Sequence, residues 1–516
     1  MILIVHNGHT VEESYSVKNN TSIPFNSNES IVSVLKNISK KYPDELLLWV
    51  KKEYKTLIDF NQISTIFHHK CIMASYSLTG NYCIAHQIGY VEQTPYTNIP
   101  RDVKYPTWLM SSDVGGIFAE ILNSVINTVP FDSNANYFLI SLAKHNMPLG
   151  LFCYSNPKLL KQIHAIHSNE EYSEFLLFKF VKQHYKSVWM FNLLLCFSLF
   201  EKRFPLLPFL RALFSKRNKK KVYLDPLKYK SIKFPIKNKT LDVIIPTIGR
   251  KEQLYNVLQD LQNQTVLPKN VIIVEQNSNE NSVSELDYLT TQSWPFKIKI
   301  SFIHQTGVCN ARNLAMSNVE SDWCFFSDDD IRFESNLIEE SFEIIENLGA
   351  EVLNLQCLQP HERQSYFYVN QTDIFGSGTS IVKTSFFNKV AFDTVFEFGF
   401  GEDSDFGMQL RKSGADIIYI PTIKITHLKA PIGGFRTKVK QLWEDENVQP
   451  KPSPTIMLFL QKNYNVFQLR GYKYNLLVKF YRNQNIKNPC KYFKTMQKKW
   501  QRSMYWSEQL KVKQDA

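Results

Sequence analysis

No two cysteines in this 516-residue chain stand in a C-x-x-C pair; the eight, at 71, 83, 153, 196, 309, 324, 357 and 490, are scattered. That spacing excludes the usual zinc-cluster pattern and suits free thiols in a reducing compartment. Glycine (18) and proline (22) are sparse, which excludes a collagen-like or low-complexity chain. Apolar residues make up 44% and charged residues 21%, too apolar a mixture for a mainly disordered protein. Long apolar runs are also missing. The best membrane candidate, Val188 to Phe200, stops well short of the ~20 residues that a spanning helix needs, and Glu201-Lys202-Arg203 interrupts it. Met1 to His6 is apolar with no basic segment before it, and reads as a first strand rather than a secretion signal.

The length allows two or three domains. Charge is unevenly placed. The formal net charge is +12, and residues 449–516 alone hold 14 Lys and Arg against 2 Asp and Glu. A basic tail suits an acidic partner such as anionic lipid, a phosphorylated acceptor or nucleic acid, or is simply a solvated helical face. Tyr472, Tyr474, Tyr481 and Tyr492 lie among its lysines, but no nucleic-acid motif accompanies them, and no nucleic-acid partner is expected. Residues 204–214 resume the apolar character of 188–200, and a basic run, 216–221, follows. An apolar hairpin with a polybasic flank fits a peripheral anchor on an anionic, cytoplasmic leaflet, or else a pair of buried interdomain helices.

Four regions emerge: 1–165, alternating apolar strands and helical patterns; 166–236, helical and then basic; 237–435, a second α/β region; and 436–516, basic aromatic-rich helices. The second α/β region alternates strand and helix (241–246, 251–262, 271–274, 297–303, 308–317, 323–326), which predicts a mostly parallel sheet flanked by helices. Ligands of such sheets sit beyond the carboxyl ends of the strands. Polar clusters fall at those ends: Thr247 to Arg250, Glu275 to Asn277, and Asp328-Asp329-Asp330. Three adjacent aspartates repel one another unless a cation intervenes, and hard oxygen ligands select Mg²⁺ or Mn²⁺; an exposed acidic turn is the structural alternative. A second acidic group, Glu402-Asp403-Ser404-Asp405, opens a helical stretch with a glycine stop, where the helix dipole favours an ionised carboxylate. His427 follows, as a metal ligand or a core histidine.

In this order, the segments Val243–Arg250, Val274–Ser278, Gly307–Asn313, Asp328–Asp330 and Gly399–Asp403 resemble the motifs of the inverting family 2 glycosyltransferases of GT-A fold. The resemblance covers about 200 residues; its last segment is similar to the Gly-x-Gly-Glu-Asp of galactosyltransferase-type members. It implies a donor site at Pro246, Thr247, Gly249, Arg250, Glu275 and Asn277, together with Arg312, Asp328, Asp329, Gly376, Ser377 and Gly378. It further implies Mn²⁺ or Mg²⁺ on Asp330 and Asp328 with His427, and Asp403 as general base beside Glu402. Asp328 or Asp329 would bind ribose hydroxyls, and Arg250 and Arg312 would meet ribose, base or phosphate. The expected activity is transfer from a nucleotide-diphosphate sugar, UDP-sugar first among them, to a hydroxyl of a glycan or lipid-linked acceptor in cell-surface polysaccharide synthesis. A non-catalytic nucleotide-sugar or glycan-binding protein is the alternative.

The first region repeats the plan in degraded form. Met1–His6 parallels the first strand, Ser30–Lys41 the helix after it, and Glu45–Val50 the second strand. Trp108–Asp113 parallels Phe325–Asp330, and 136–151 parallels 405–420. With one aspartate in place of three and no Glu-Asp pair, this reads as a non-catalytic GT-A-like domain.

Overall fold

A computed structural model describes all residues except 163–171, 219, 234–235, 237, 431–438 and 516. The expected boundaries near 165, 236/237 and 435 fall in or beside the segments left out, and Lys219 of the basic run lies outside the described residues. Two sheets are present. The first joins β1 (Ile2–His6), β2 (Val11–Ser16), β3 (Thr21–Ser22), β4 (Leu46–Lys51), β5 (Ile72–Tyr76), β6 (Tyr105–Pro106), β7 (Val114–Phe118) and β8 (Phe152–Ser155) in the order β3-β2-β1-β4-β7-β5-β8-β6. The second is built from β9 (Leu241–Thr247), β10 (Asn270–Gln276), β11 (Lys297–Ile303), β12 (Trp323–Ser327), β13 (Ile331–Phe333), β14 (Val352–Leu358), β15 (Asn370–Gln371), β16 (Thr379–Lys383) and β17 (Ile417–His427). Its order is β11-β10-β9-β12-β16-β14-β17-β13, with β15 also on β17.

The second sheet is parallel from β11 to β12 and then mixed, because β16 runs antiparallel to both β12 and β14. Strands β9, β10 and β12 are buried apolar runs with helices on their faces, as a sheet covered on both sides requires. Below the strand ends, Phe326 is packed among Phe375, Phe387, Phe392 and Phe406, and the Phe392 and Phe406 rings stack at 4.2 Å. This aromatic cluster fixes the helix Glu402–Lys412 against the run Ile374–Gly378.

The repeat between the halves is closer than the sequence suggests, and its register differs. Strands β1, β4, β7, β5, β8 and β6 have the same order, relative directions and chain sequence as β9, β12, β16, β14, β17 and β15. Residues 46–51 therefore match β12, not the second strand β10, and the helix Ile31–Lys41 leads into β4 as Val308–Met316 leads into β12. A shared backbone bond sets the exact positions. Lys51 N–H donates to Asp113 O (2.8 Å) just beyond the last β4–β7 pair, and Asp328 N–H donates to Gly378 O (3.4 Å) just beyond the last β12–β16 pair. Asp113 thus stands where Gly378 stands, not in the aspartate run; the places of Asp328, Asp329 and Asp330 are taken by Lys51, Lys52 and Glu53. Likewise, Asn136, the second residue of its helix, accepts the Ser112 N–H (2.7 Å), just as Asp403, the second residue of its helix, accepts from Ser377. Sequence reading missed this because periodic apolar patterns locate strands but not which strand pairs with which.

The C-terminal region is folded onto both halves rather than trailing free. Helices Pro454–Asn463, Val466–Tyr481 and Pro489–Asp515 make it up. Asn465 forms a capping box with Gln468. Asn98 of the first half donates to Gln468 (2.6 Å) and to Asn463 O (3.0 Å), and Tyr464 Oη donates to Gln93 O (2.6 Å). Toward the second half, Lys462 pairs with buried Asp405 (2.9 Å), and Thr455 Oγ1 accepts the Phe400 N–H (3.0 Å). The halves also meet directly: Gln371 accepts the Cys153 N–H (2.6 Å) and donates to Asp416 (2.7 Å), which Tyr154 also reaches (2.8 Å).

The apolar segment has two characters. Residues 188–214, which include the helices Val188–Cys196 and Leu206–Leu213, bury Met190, Leu193, Phe197 and Phe209 but expose Phe191, Leu195, Leu199, Phe204, Leu207 and Phe214. A buried interdomain pair would cover both faces. Among the described residues, no helix is long and apolar enough to cross a membrane.

Candidate active site

The aspartate run begins where β12 ends, and each carboxylate has its own surroundings. Asp329 is buried; it accepts from Thr247 Oγ1 (2.7 Å) and pairs with Arg250. Burial outweighs these partners and pushes its carboxyl up to about 6. Asp330, also buried, lies 3.2 Å from His427 Nε2, accepts the Ala430 N–H (2.7 Å) and is 3.4 Å from Arg250. Burial alone would raise its carboxyl, but His427, the Ala430 amide and Arg250 together hold it down to about 2. His427 faces Asp330 because β13 pairs with β17 in a register that sets Ile331 opposite His427. Asp328 is the more open of the three and accepts from Arg312 (3.1 Å).

One oxygen or nitrogen from each of Asp328, Asp330 and His427 lies within 4.8 Å of the others, the one such cluster among the described residues. Two carboxylates and an imidazole are a donor set for a hard divalent cation such as Mg²⁺ or Mn²⁺. The contact that holds Asp330 ionised also raises the His427 imidazole, so His427 gives up a proton as a metal binds. The residues therefore fit the metal that the sequence implies.

The second acidic group sits at the start of the helix Glu402–Lys412, after Gly401, whose positive φ turns the chain into it. Glu402 is the first helical residue. Asp403 accepts the Ser377 hydroxyl and lies 3.9 Å from Arg312. Burial raises the Asp403 carboxyl, opposed by Arg312 and Ser377. Glu402 is pushed up to about 7, first by burial and then by the Asp403 charge. Asp405 points into the protein, ion-paired with Lys462 and bonded to Gln409 (2.7 Å), so it cannot serve the cavity.

Arg312 joins the two groups. Buried over the Phe392 ring, it reaches Asp328 with one nitrogen and Asp403 with another. Arg250 is likewise engaged with Asp329 and Asp330. Both arginines thus hold carboxylates while also lining the cavity. Asp329 lines the cavity while bound to Thr247 and Arg250, and Asp328 is the more open of the two.

The remaining motif residues have local reasons. A Cβ at Gly307 would come 2.0 Å from Glu397, whose carboxylate accepts the N–H groups of Cys309 and Asn310 (2.9 Å each) at the start of Val308–Met316. Asn313 exchanges two bonds with the Phe392 backbone (2.7 and 2.8 Å). A Cβ at Gly378 would lie 2.1 Å from Asp328 Oδ2. Gly378→Ala should thus displace Asp328 and weaken divalent-metal binding by roughly 10-fold or more, as loss of a positioning contact at a metal site does, with a melting temperature near that of the parent; calorimetry with Mn²⁺ measures the first and a thermal scan the second.

A cavity of about 1580 Å³ takes in Pro246, Thr247, Arg250, Arg312, Asp328–Asp330, Gly376–Gly378, Glu402, Asp403 and His427. Gly249, Glu275 and Asn277 are not among its lining residues; Gln276 and Ser278 are. Glu275 is buried, with Oε1 accepting the Glu285 N–H (3.1 Å) and Oε2 without a partner. Asn277 caps a turn through Asn279, and Gly249 makes a turn of positive φ. Gln276, which holds the Gly307 carbonyl (2.7 Å), lies inside the Val274–Ser278 segment but was not singled out there, and Glu397 carries no motif signal of its own. Six residues of the first half also line the cavity: Thr94, Tyr96, Trp108, Lys144, Met147 and Pro148. No sequence pattern pointed to them, because their role depends on how the halves meet.

Residues 242–399 match the model for "Glycosyl transferase family 2". This match and the sheet order give the second half the GT-A fold that the sequence implies. A Haemophilus influenzae protein described as an uncharacterized glycosyltransferase is 32% identical over 106 residues, 20% of this chain. The chain spans about a third (34%) of the length of that relative. Among solved structures, S. aureus TarS 1–349 in complex with UDP-GlcNAc aligns at 15% identity and a TM-score of 0.38, covering 51% of this chain and 79% of that one. GalNAc-T7 with UDP, GalNAc and Mn²⁺ aligns at 11% and 0.37, covering 50% and 55%. The match to a galactosyltransferase-type subgroup has no counterpart among these similarities.

Proposed function

We propose that the protein is a metal-dependent inverting glycosyltransferase that moves a sugar from a nucleotide-diphosphate donor, UDP-sugar first among them, to an acceptor hydroxyl. The observation that carries this reading is the meeting, in one cavity, of the Asp328–Asp330–His427 cluster with a second carboxylate, Asp403, linked to it through Arg312. A site for a metal nucleotide alone has no need of the second group. Asp328, Asp330 and His427 would hold Mn²⁺ or Mg²⁺, which neutralises charge developing on a leaving diphosphate. Asp403, held by Ser377 and Arg312, takes the proton from the acceptor hydroxyl as that oxygen attacks the anomeric carbon. The C–O bond to the diphosphate breaks as the new glycosidic bond forms, and the configuration inverts. Buried Arg312 answers charge on both carboxylate groups, so the site is set before substrates arrive. Excess chelator should abolish nucleotide release from the donor, and added Mn²⁺ or Mg²⁺ should restore it; full activity in chelator would leave the aspartates as a structural turn.

The first half is proposed as a non-catalytic copy of the same domain: Asn136 replaces the base, and Lys51, Lys52 and Glu53 replace the aspartates. The regions 1–165, 166–236, 237–435 and 436–516 are proposed as non-catalytic domain, apolar-then-basic connection, catalytic domain and clamping helices.

The exposed face of residues 188–214 supports a place on an anionic cytoplasmic leaflet, beside a glycan or lipid-linked acceptor of cell-surface polysaccharide synthesis. Phe214 is 89% and Leu207 80% exposed, and exposed Lys202, Arg203, Lys216, Arg217, Lys220 and Lys221 flank the face. Each basic residue near an anionic surface contributes about 1 kcal/mol, so binding to phosphatidylserine vesicles should fall steeply as salt rises. Absence of vesicle binding at low salt would leave the face without this role.

A further inference from the structure

The cavity is larger than the ~300–1,000 Å³ that usually holds a single ligand, and the first half supplies part of its wall. That wall carries polar atoms without partners. Trp108 is 1% exposed, yet its indole Nε1 has no hydrogen-bond acceptor. Tyr96 is buried with its hydroxyl unpartnered, and on the second-half side buried Gln356 has neither amide atom satisfied. All three line the cavity. Neighbouring buried groups of the same kinds are satisfied: Trp49 Nε1 donates to Ser111 O (3.0 Å), Tyr105 Oη to Pro95 O (3.0 Å) and Tyr137 Oη to Gln183 (2.6 Å). A buried polar group without a partner costs about 1–3 kcal/mol, and atoms left so on a cavity wall mark where a ligand or water completes them.

Resting on the transferase reading above, we infer that the wall formed by Tyr96, Trp108 and Gln356 is the acceptor subsite, and that it takes an uncharged saccharide. Its place suits the acceptor: these residues line the same cavity as Asp403, on a wall that the first half helps to build. Its chemistry suits hydroxyl groups: the indole donates, the phenol donates and accepts, and the amide does both. The Trp108 ring is packed against Phe180 (5.2 Å) and Lys144 (4.9 Å), which leaves its N–H as the polar group without a partner. Lys144, the cation on this wall, is paired with buried Glu92 and so is not set for a phosphate. The first half has thus lost its base and aspartates while keeping a surface that selects what the second half glycosylates.

The test uses the full chain with methyl β-D-galactoside, methyl β-D-glucoside, methyl β-N-acetylglucosaminide and lactose, read by saturation-transfer NMR with and without UDP and Mn²⁺. At least one saccharide should bind the unchanged protein. Trp108→Phe and Tyr96→Phe, which delete one polar group each and keep the ring, should weaken it roughly 5-fold, the effect of one neutral hydrogen bond. UDP–Mn²⁺ affinity, measured separately, should not change. Equal saccharide affinity in both folded variants would mean that these atoms face water only and would overturn the subsite, as would binding of none of the four by the unchanged protein. Failure of UDP–Mn²⁺ to bind the unchanged protein would instead strike the transferase reading itself.

Discussion

Replacing Asp403 by asparagine should slow transfer to an acceptor by about 10²–10⁴-fold, the usual contribution of a general base, while nucleotide-sugar affinity stays close to that of the unchanged protein. The expectation follows from position. Asp403 faces the cavity, and its partners are Ser377 and Arg312 rather than the metal cluster. Asparagine keeps the size and still accepts from Ser377, so the helix start should survive; the first half already builds the same turn with Asn136 accepting from Ser112. Glu402 is the competitor, held up to about 7 by burial and the Asp403 charge. Because a base must be ionised, the rate should fall as pH drops through the Asp403 titration. Burial raises that carboxyl, so the acidic limb should lie above the ordinary aspartate range. A variant that binds donor poorly but reacts at the normal rate once saturated would make Asp403 a binding residue and return the base to Glu402.

Asp330→Asn should have an effect of similar size by a different route. Asp330 is buried and strongly ionised, and joins His427 at the metal cluster. Losing that charge should weaken divalent-metal binding and, with it, donor binding, so that most nucleotide release disappears at ordinary metal concentrations. High Mn²⁺ should restore part of it, which a merely destabilised protein would not show. Glu53→Gln, the change at the matching place in the first half, should leave activity as it was, because the residue beside it there is Lys52, and Lys51 is paired with Glu53 itself. Nucleotide release under varied Mn²⁺ separates these outcomes.

Much of the site was legible because its residues are consecutive and sit at strand or helix ends. The strand before Asp328 and the helix after Gly401 both follow from local periodicity, and the distance in sequence to His427 is closed by a single antiparallel pairing, β13 with β17. Three things were not legible. The roles of Arg250 and Arg312 depend on which carboxylates the fold brings near them, and a charged side chain can serve a ligand or a neighbour equally well until its surroundings are known. The register of the repeat depends on strand pairing: Asp113 looked like a remnant of the aspartate run, whereas the bond from Lys51 N–H to its carbonyl sets it against Gly378. The part of Tyr96 and Trp108 in the cavity depends on the meeting of two halves that are clamped by the C-terminal helices, and nothing local to either residue announces it.

The central claim, turnover of a nucleotide sugar at a metal-bound site, is tested most directly by incubating the purified protein with a panel of UDP-, GDP- and CDP-sugars, with Mn²⁺ and with chelator, and following release of free nucleotide. The account predicts Mn²⁺-dependent release from at least one donor, UDP-sugars first, lost in chelator and in Asp330→Asn. Tight UDP–Mn²⁺ binding with no release from any donor, with or without saccharide acceptors, would contradict it and make the protein a nucleotide-sugar-binding protein instead.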